Sequence, residues 1–105
     1  MLKIIKGSVV TLEKIQFSTE VTVCHLRAAR AILKLSFKEL SEMSNVSERA
    51  LIRLEQGDLY NSPEHSSIVT IAKVRAVYEE NGIEFYKNNF IHLLSQDHRF
   101  IIRIV

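Results

Sequence analysis

Between residues 22 and 57 the apolar positions fall at helical spacing, and residues that cap or turn a helix cut the pattern at regular points. In "TVCHLRAARAILK", Leu26, Ala29, Arg30 and Leu33 recur at i, i+3, i+4 and i+7, which predicts a helix whose inner face is apolar except for Arg30. Ser36 is an N-cap residue and Glu39, three positions on, completes a capping box, so a second helix of about two turns starts there. Asn45 ends it, because asparagine enters the left-handed region at lower cost than most side chains. Ser47 then caps a third helix, "ERALIRLEQ", and Gly57 is its expected left-handed end.

The pattern changes on either side of this stretch. "DLYNSPEHSS" has turn chemistry throughout and leads into a fourth helix from Ser67 to Asn81, with Ile71, Val74 and Tyr78 on one face and Gly82 closing it. Beyond it, "IEFY", "NFIHLL" and "RFIIRIV" are rich in β-branched and aromatic residues and are separated by "KNN" and "SQDH", which predicts a small antiparallel sheet. The opening "KIIKGSVVTLEKIQF" suits extended structure. Three segments result, 1–21, 22–82 and 83–105, folded as one domain. A terminal strand as apolar as "FIIRIV" needs a partner on its edge, either residues 1–6 or a second subunit.

Composition narrows the class. At 105 residues, 47% hydrophobic and 25% charged, the chain has the makings of one globular core. The single cysteine, Cys24, permits no internal disulfide and lacks zinc-ligand spacing; it reads as a buried small apolar residue in a reduced, cytoplasmic setting. The first residues are too short and too charged for a signal peptide or a membrane span. Net charge is only +2, but residues 22–57 hold six basic and four acidic side chains, against two and four in residues 58–81. The positive excess lies on the first three helices.

Two helices joined by a short corner, the second with a polar outer face, have the geometry with which a recognition helix enters a major groove. The corner needs a small residue at the crossing, here Ser41, and apolar anchors, here Leu40, Val46, Leu51 and Leu54. With these in place, "LRAARAILKLSFKELSEMSNVSERALIRLEQG" resembles the helix-turn-helix domains of the Cro and lambda-repressor type, the xenobiotic-response-element family. It shares the "RAAR" helix, a Leu-Ser step, a corner with Val and a recognition helix ending in Glu-x-Gly. "TIAKVRAVYEENGIEF" is similar to the fourth helix and the ending of many small bacterial members, so the likeness covers residues 24–86.

The resemblance implies a mainly α fold, a compact lambda-repressor-like domain of four to five helices over residues 22–82; to this the residue pattern adds the small C-terminal antiparallel β element, which an N-terminal strand can join. It implies a transcription regulator, such as a repressor, that binds double-stranded DNA. Arg30 and Glu55 lie on faces that turn inward and have opposite sign, and charges on buried faces need partners. The family's matching arginine and glutamate bridge one another, which implies an Arg30–Glu55 ion pair.

The outward stripe of the third helix supplies candidates for base reading. Arg49 and Arg53 suit bidentate bonds to guanine, Ser47 suits a base or a phosphate, Ile52 suits a thymine methyl, and Glu48 suits cytosine N4 or orients an arginine; Gln56 lies on the same side. Backbone contacts fall to Lys34, Phe37, Lys38, Tyr60 and Asn61. Two features depart from the family: Phe37 replaces its common glutamine, and "GDLYNSPEHSS" has no fixed positive charge after the recognition helix. A half-site with few phosphate anchors calls for a homodimer on a pseudo-palindromic operator, built from the β-rich ends or from the fourth helix.

No catalytic fingerprint occurs, and His25, His65, His92 and His98 have no ligand-like pairing, so neither an enzyme nor a metal or cofactor protein is expected. The alternative of another class is a protein-interaction module, an antitoxin-like partner binder on a helix-turn-helix core. The acidic loop, Phe37 and the apolar tails favour it.

Overall fold

A computed structural model describes residues 2–5, 13–64, 66–87, 90–94 and 99–104; within 2–5, 90–94 and 99–104 the description is of the backbone. The fold is mainly helical. In order come β1 (Leu2–Ile5), a single 3₁₀ turn at Ser18–Glu20, α1 (Val23–Leu33), α2 (Phe37–Ser44), α3 (Glu48–Leu54), α4 (Ile68–Glu80), β2 (Ile83–Tyr86), β3 (Phe90–Leu94) and β4 (Arg99–Ile104). The extended character read for residues 1–21 is therefore interrupted at Ser18–Glu20. Parts of the expected turns, residues 88–89 and 95–98, together with residues 6–12 of the opening segment and His65 of the loop before the fourth helix, lie outside the described residues.

Local chemistry sets each helix boundary. Thr22 caps α1, Ser36 caps α2, Ser47 caps α3 and Ser67 caps α4, each side chain accepting from an amide of the first turn. In α2 the box is reciprocal: Glu39 N donates to Ser36 Oγ and Ser36 N to Glu39 Oε1, both at 3.0 Å. These bonds to the carboxylate hold the Glu39 acid below its ordinary pKa, the backbone bond from Ser36 being the larger cause. Asn45 terminates α2 at φ 58°, the left-handed corner that its residue type predicts. Lys34 takes the same conformation at φ 55° after α1, although nothing in a lysine favours it. The third helix ends sooner than its sequence suggests: Leu54 is its last residue, Glu55 its cap, and Gly57 is left-handed two residues later at φ 93°.

The core is built where these helices cross. Leu26, Ala29, Leu40, Leu51 and Leu54 from the first three helices and Val46 from the corner between α2 and α3 meet Ile71, Val74, Val77 and Tyr78 of α4 and Ile83 and Phe85 of β2, all buried. Cys24 is buried beside them, and desolvation pushes its thiol pKa up, which makes it less reactive. The expected inner faces of α1 and α4 are the ones observed.

The strands form one antiparallel sheet in the order β1-β4-β3-β2. β4 runs between β1 and β3, with Leu2 opposite Ile104 on one side and Phe90 opposite Arg103 on the other. Both edges of the C-terminal strand are thus satisfied within one chain. The outer edge of β2 is taken by residues 13–15: Ile15 N donates to Phe85 O at 2.9 Å and Lys87 N to Glu13 O at 2.8 Å. The Arg75 guanidinium of α4 holds the same segment through Ile15 O, at 2.7 Å.

Candidate nucleic-acid interface

The corner between α2 and α3 is braced by one bond that the sequence pattern conceals. Ser41, chosen for its small size, also donates from Oγ to Val46 O at 2.6 Å, which pins the three residues of the corner to α2. Ser44 Oγ donates back to Leu40 O at 2.7 Å and so satisfies its own buried hydroxyl.

Behind the corner lies the ion pair. Arg30 Nε and Nη2 donate to the two carboxylate oxygens of Glu55 at 2.6 and 3.0 Å, a bidentate fork. Nη1 of the same guanidinium donates to Leu35 O at 3.1 Å, and its carbon stands 4.1 Å from the centre of the Phe37 ring. One side chain therefore ties the end of α1, the link to α2, the start of α2 and the cap of α3. The Glu55 hydrogen bond raises the Arg30 pKa above its ordinary value, so the guanidinium is charged at every pH of interest. In this arrangement Phe37, expected at the DNA backbone, is partly buried. Its ring packs against the core and under Arg30, because an aromatic face beside a partly buried cation is worth more there than in water.

With its inner residues so anchored, α3 turns a polar stripe outward. Ser47, Glu48, Arg49, Ile52, Arg53 and Gln56 are all exposed, Ile52 by 44%. Arg49, Ile52, Arg53 and Gln56 together line an open groove of about 410 Å³. Ser47 Oγ is engaged in accepting from Ala50 N at 3.2 Å, which leaves its hydroxyl proton to donate outward. Among the described residues, Arg49 and Arg53 have neither an ion pair nor a hydrogen bond, whereas Lys14, Arg30, Arg75 and Lys87 are all paired. The donors of both arginines, beside an exposed isoleucine, face solvent. An α-helix with its side chains is about 10–12 Å across, which a major groove about 12 Å wide admits.

The remaining candidates are more dispersed. Lys34 and Lys38 are exposed at the end of α1 and the start of α2 and have no ion-pair partner among the described residues. Tyr60 and Asn61 are exposed on the loop after α3. That loop is fastened to the first turn of α1: Leu59 O accepts from Cys24 N at 2.9 Å and Asn61 O from Val23 N at 3.0 Å. Ser62 Oγ adds a bond to Val21 O at 2.9 Å. The loop thus has a fixed position relative to α1, although it carries no fixed cation.

One buried group escaped the sequence reading. His25 is fully buried, and its ring meets Phe85 edge-on at 5.6 Å. The Tyr86 carbonyl at 2.8 Å must accept, so Nε2 carries the proton; the Thr22 amide at 3.1 Å must donate, so Nδ1 is bare. The neutral ring satisfies both. Burial pushes its pKa down to about 4, the Tyr86 bond opposing the shift. The signal was present as Thr22-x-x-His25, a capping box with histidine in the place usually held by glutamate or glutamine.

Among the described residues no group of three or more His, Cys, Asp or Glu is placed to hold a metal ion, and no helix is long and apolar enough to cross a membrane. No protein-family model, curated protein or solved structure matches the chain.

Proposed function

We propose that this chain is a helix-turn-helix transcription regulator of the Cro and lambda-repressor type that binds double-stranded DNA sequence-specifically, reading a pseudo-palindromic operator as a homodimer. The observation that carries the reading is the α2–α3 unit, held from behind by the Arg30–Glu55 fork and presenting two unpaired arginines around Ile52. In this reading α3 enters the major groove. Arg49 and Arg53 bond guanine, Ile52 meets a thymine methyl, and Ser47, Lys34 and Lys38 fix the register on phosphates. Glu48, at the first position of α3, accepts from cytosine or steers Arg49. Tyr60 and Asn61 approach the backbone from the fastened loop.

Selection from random duplex DNA at two salt concentrations tests this. A recovered palindrome is expected, and Arg53→Ala should weaken binding by ~1–3 kcal/mol with specificity relaxed at one base position. No enrichment at either salt would overturn the reading. The alternative, a partner-binding module, draws on Leu59 and Tyr60, exposed beside Asp58. An apolar protein interface would hold its affinity as salt rises, whereas a DNA complex loses it steeply.

A further inference from the structure

Two residues of the outward stripe of α3 ask for different bases. A carboxylate such as Glu48 accepts from the N4 amino group of cytosine, whereas an apolar side chain such as Ile52 favours the C5 methyl of thymine. Their spacing is i, i+4, which sets their Cβ atoms about 5–6 Å apart on one face of the helix. Side chains on a helix lean toward its N-terminus, so Ile52 covers the turn that begins at Glu48. Both are exposed, and among the described residues Glu48 has neither an ion pair nor a hydrogen bond. A carboxylate and an apolar surface are thus presented together to one base edge.

Thymine offers Ile52 its methyl but sets the O4 acceptor against the carboxylate. Cytosine offers Glu48 its amino group but only a C–H to Ile52. In 5-methylcytosine the amino group and the methyl stand on neighbouring ring atoms, and both side chains are satisfied. We infer that α3 reads a 5-methylcytosine–guanine step: Glu48 accepts from N4, Ile52 packs on the C5 methyl, and Arg49 bonds O6 and N7 of the guanine. Arg49 takes this role because it lies one turn from Ile52, at i, i+3, and lines the same groove. Arg53 follows Ile52 directly, diverges from it by about 100°, and is left for another base pair. The inference rests on the DNA-binding reading and puts the methylated base where that reading has thymine, so that operator methylation controls occupancy.

Selection on two random duplex pools, one unmodified and one with every CG cytosine methylated at C5, tests it. The methylated pool should enrich a CG step in each half-site. Matched duplexes differing only at that base pair, titrated by fluorescence anisotropy, should bind as 5-methylcytosine about fourfold tighter than as cytosine, the worth of one buried methyl. They should bind at least about fivefold tighter than as thymine. Ile52→Ala should erase the first difference and keep the second. Glu48→Gln should erase the second, because an amide also donates to O4, and keep the first. Both positions are exposed, so urea midpoints should move little. Equal binding of the three duplexes, tighter binding of the thymine duplex, or methylated-pool operators without a CG step would each overturn the inference and leave the DNA reading standing. No enrichment from either pool removes both.

Discussion

Replacing Arg30 with alanine tests whether the frame behind α3 is as tight as its geometry implies. The change removes both Glu55 bonds, the bond to Leu35 O and the stack on Phe37. It leaves the Glu55 carboxylate, whose side chain is 9% exposed, without its cation. Breaking one partner of a buried pair costs about 3–5 kcal/mol. The Arg30 side chain is 27% exposed, so water can enter the space it vacates, which places the expected loss near the lower end, about 3 kcal/mol. For a domain of this size that is roughly 12–20 °C in Tm. Urea denaturation followed by circular dichroism measures it, with an unchanged m-value showing that the native state has not loosened. Arg30→Met combined with Glu55→Met should lose less than the two single changes added together, since no unpaired charge is left behind. A loss below about 1 kcal/mol for Arg30→Ala would mean that the pair behaves as an exposed surface bridge, and the argument for a rigid α3 would fail.

Other consequences follow from single groups. His25 titrates at about 4 in the folded chain and near 6.5 when exposed, so the unfolded state binds more protons between those values. Its contribution is fully present above pH 6.5 and is lost as pH falls toward 4, up to ~3 kcal/mol. Urea midpoints across that window should fall in the wild type and flatten in His25→Asn; equal slopes would sink the assignment. The Tyr78 hydroxyl is buried without a hydrogen-bond partner among the described residues, so Tyr78→Phe should be neutral or stabilising by up to ~1 kcal/mol, and a clear loss would reveal a hidden partner. Lys34 spends its left-handed φ of 55° on a residue that resists it, so Lys34→Gly should raise stability by ~0.5–1 kcal/mol in thermal melts.

What could be read in advance was whatever depends on local spacing. Ser36, Glu39, Asn45 and Ser47 act within three or four residues of themselves, and the helices begin and turn where they stand. The inner faces of α1 and α4 follow from the 3.6-residue period alone. Three things could not be read this way. Ser41 looks like a spacer until Val46 O comes within reach, and Phe37 looks like a surface aromatic until Arg30 folds over it. His25 looks idle until Tyr86, 61 residues away, supplies its acceptor. Phe37 and His25 depend on partners that the tertiary fold brings close, and Ser41 on the turn itself, which folds Val46 O back onto α2. α3 ends early at Leu54, and Glu55, which caps it, is the residue that Arg30 holds.

The strand order has a bearing on how the chain folds. α1, α2 and α3 are joined by short links, and α4 follows after the longer segment 55–67; contacts among these helices span far less of the chain than those of β1, the kind of topology that assembles quickly. β1 must wait, since among the described residues it pairs with β4 alone and Leu2 lies opposite Ile104. Closing so long a loop is favourable only once the helices have shortened the intervening path. The helical unit should therefore form early on the ribosome, while β1 stays unpaired until residues 99–104 have emerged. In stopped-flow refolding this order would separate a fast helical phase from a slower one reporting the joining of the two ends.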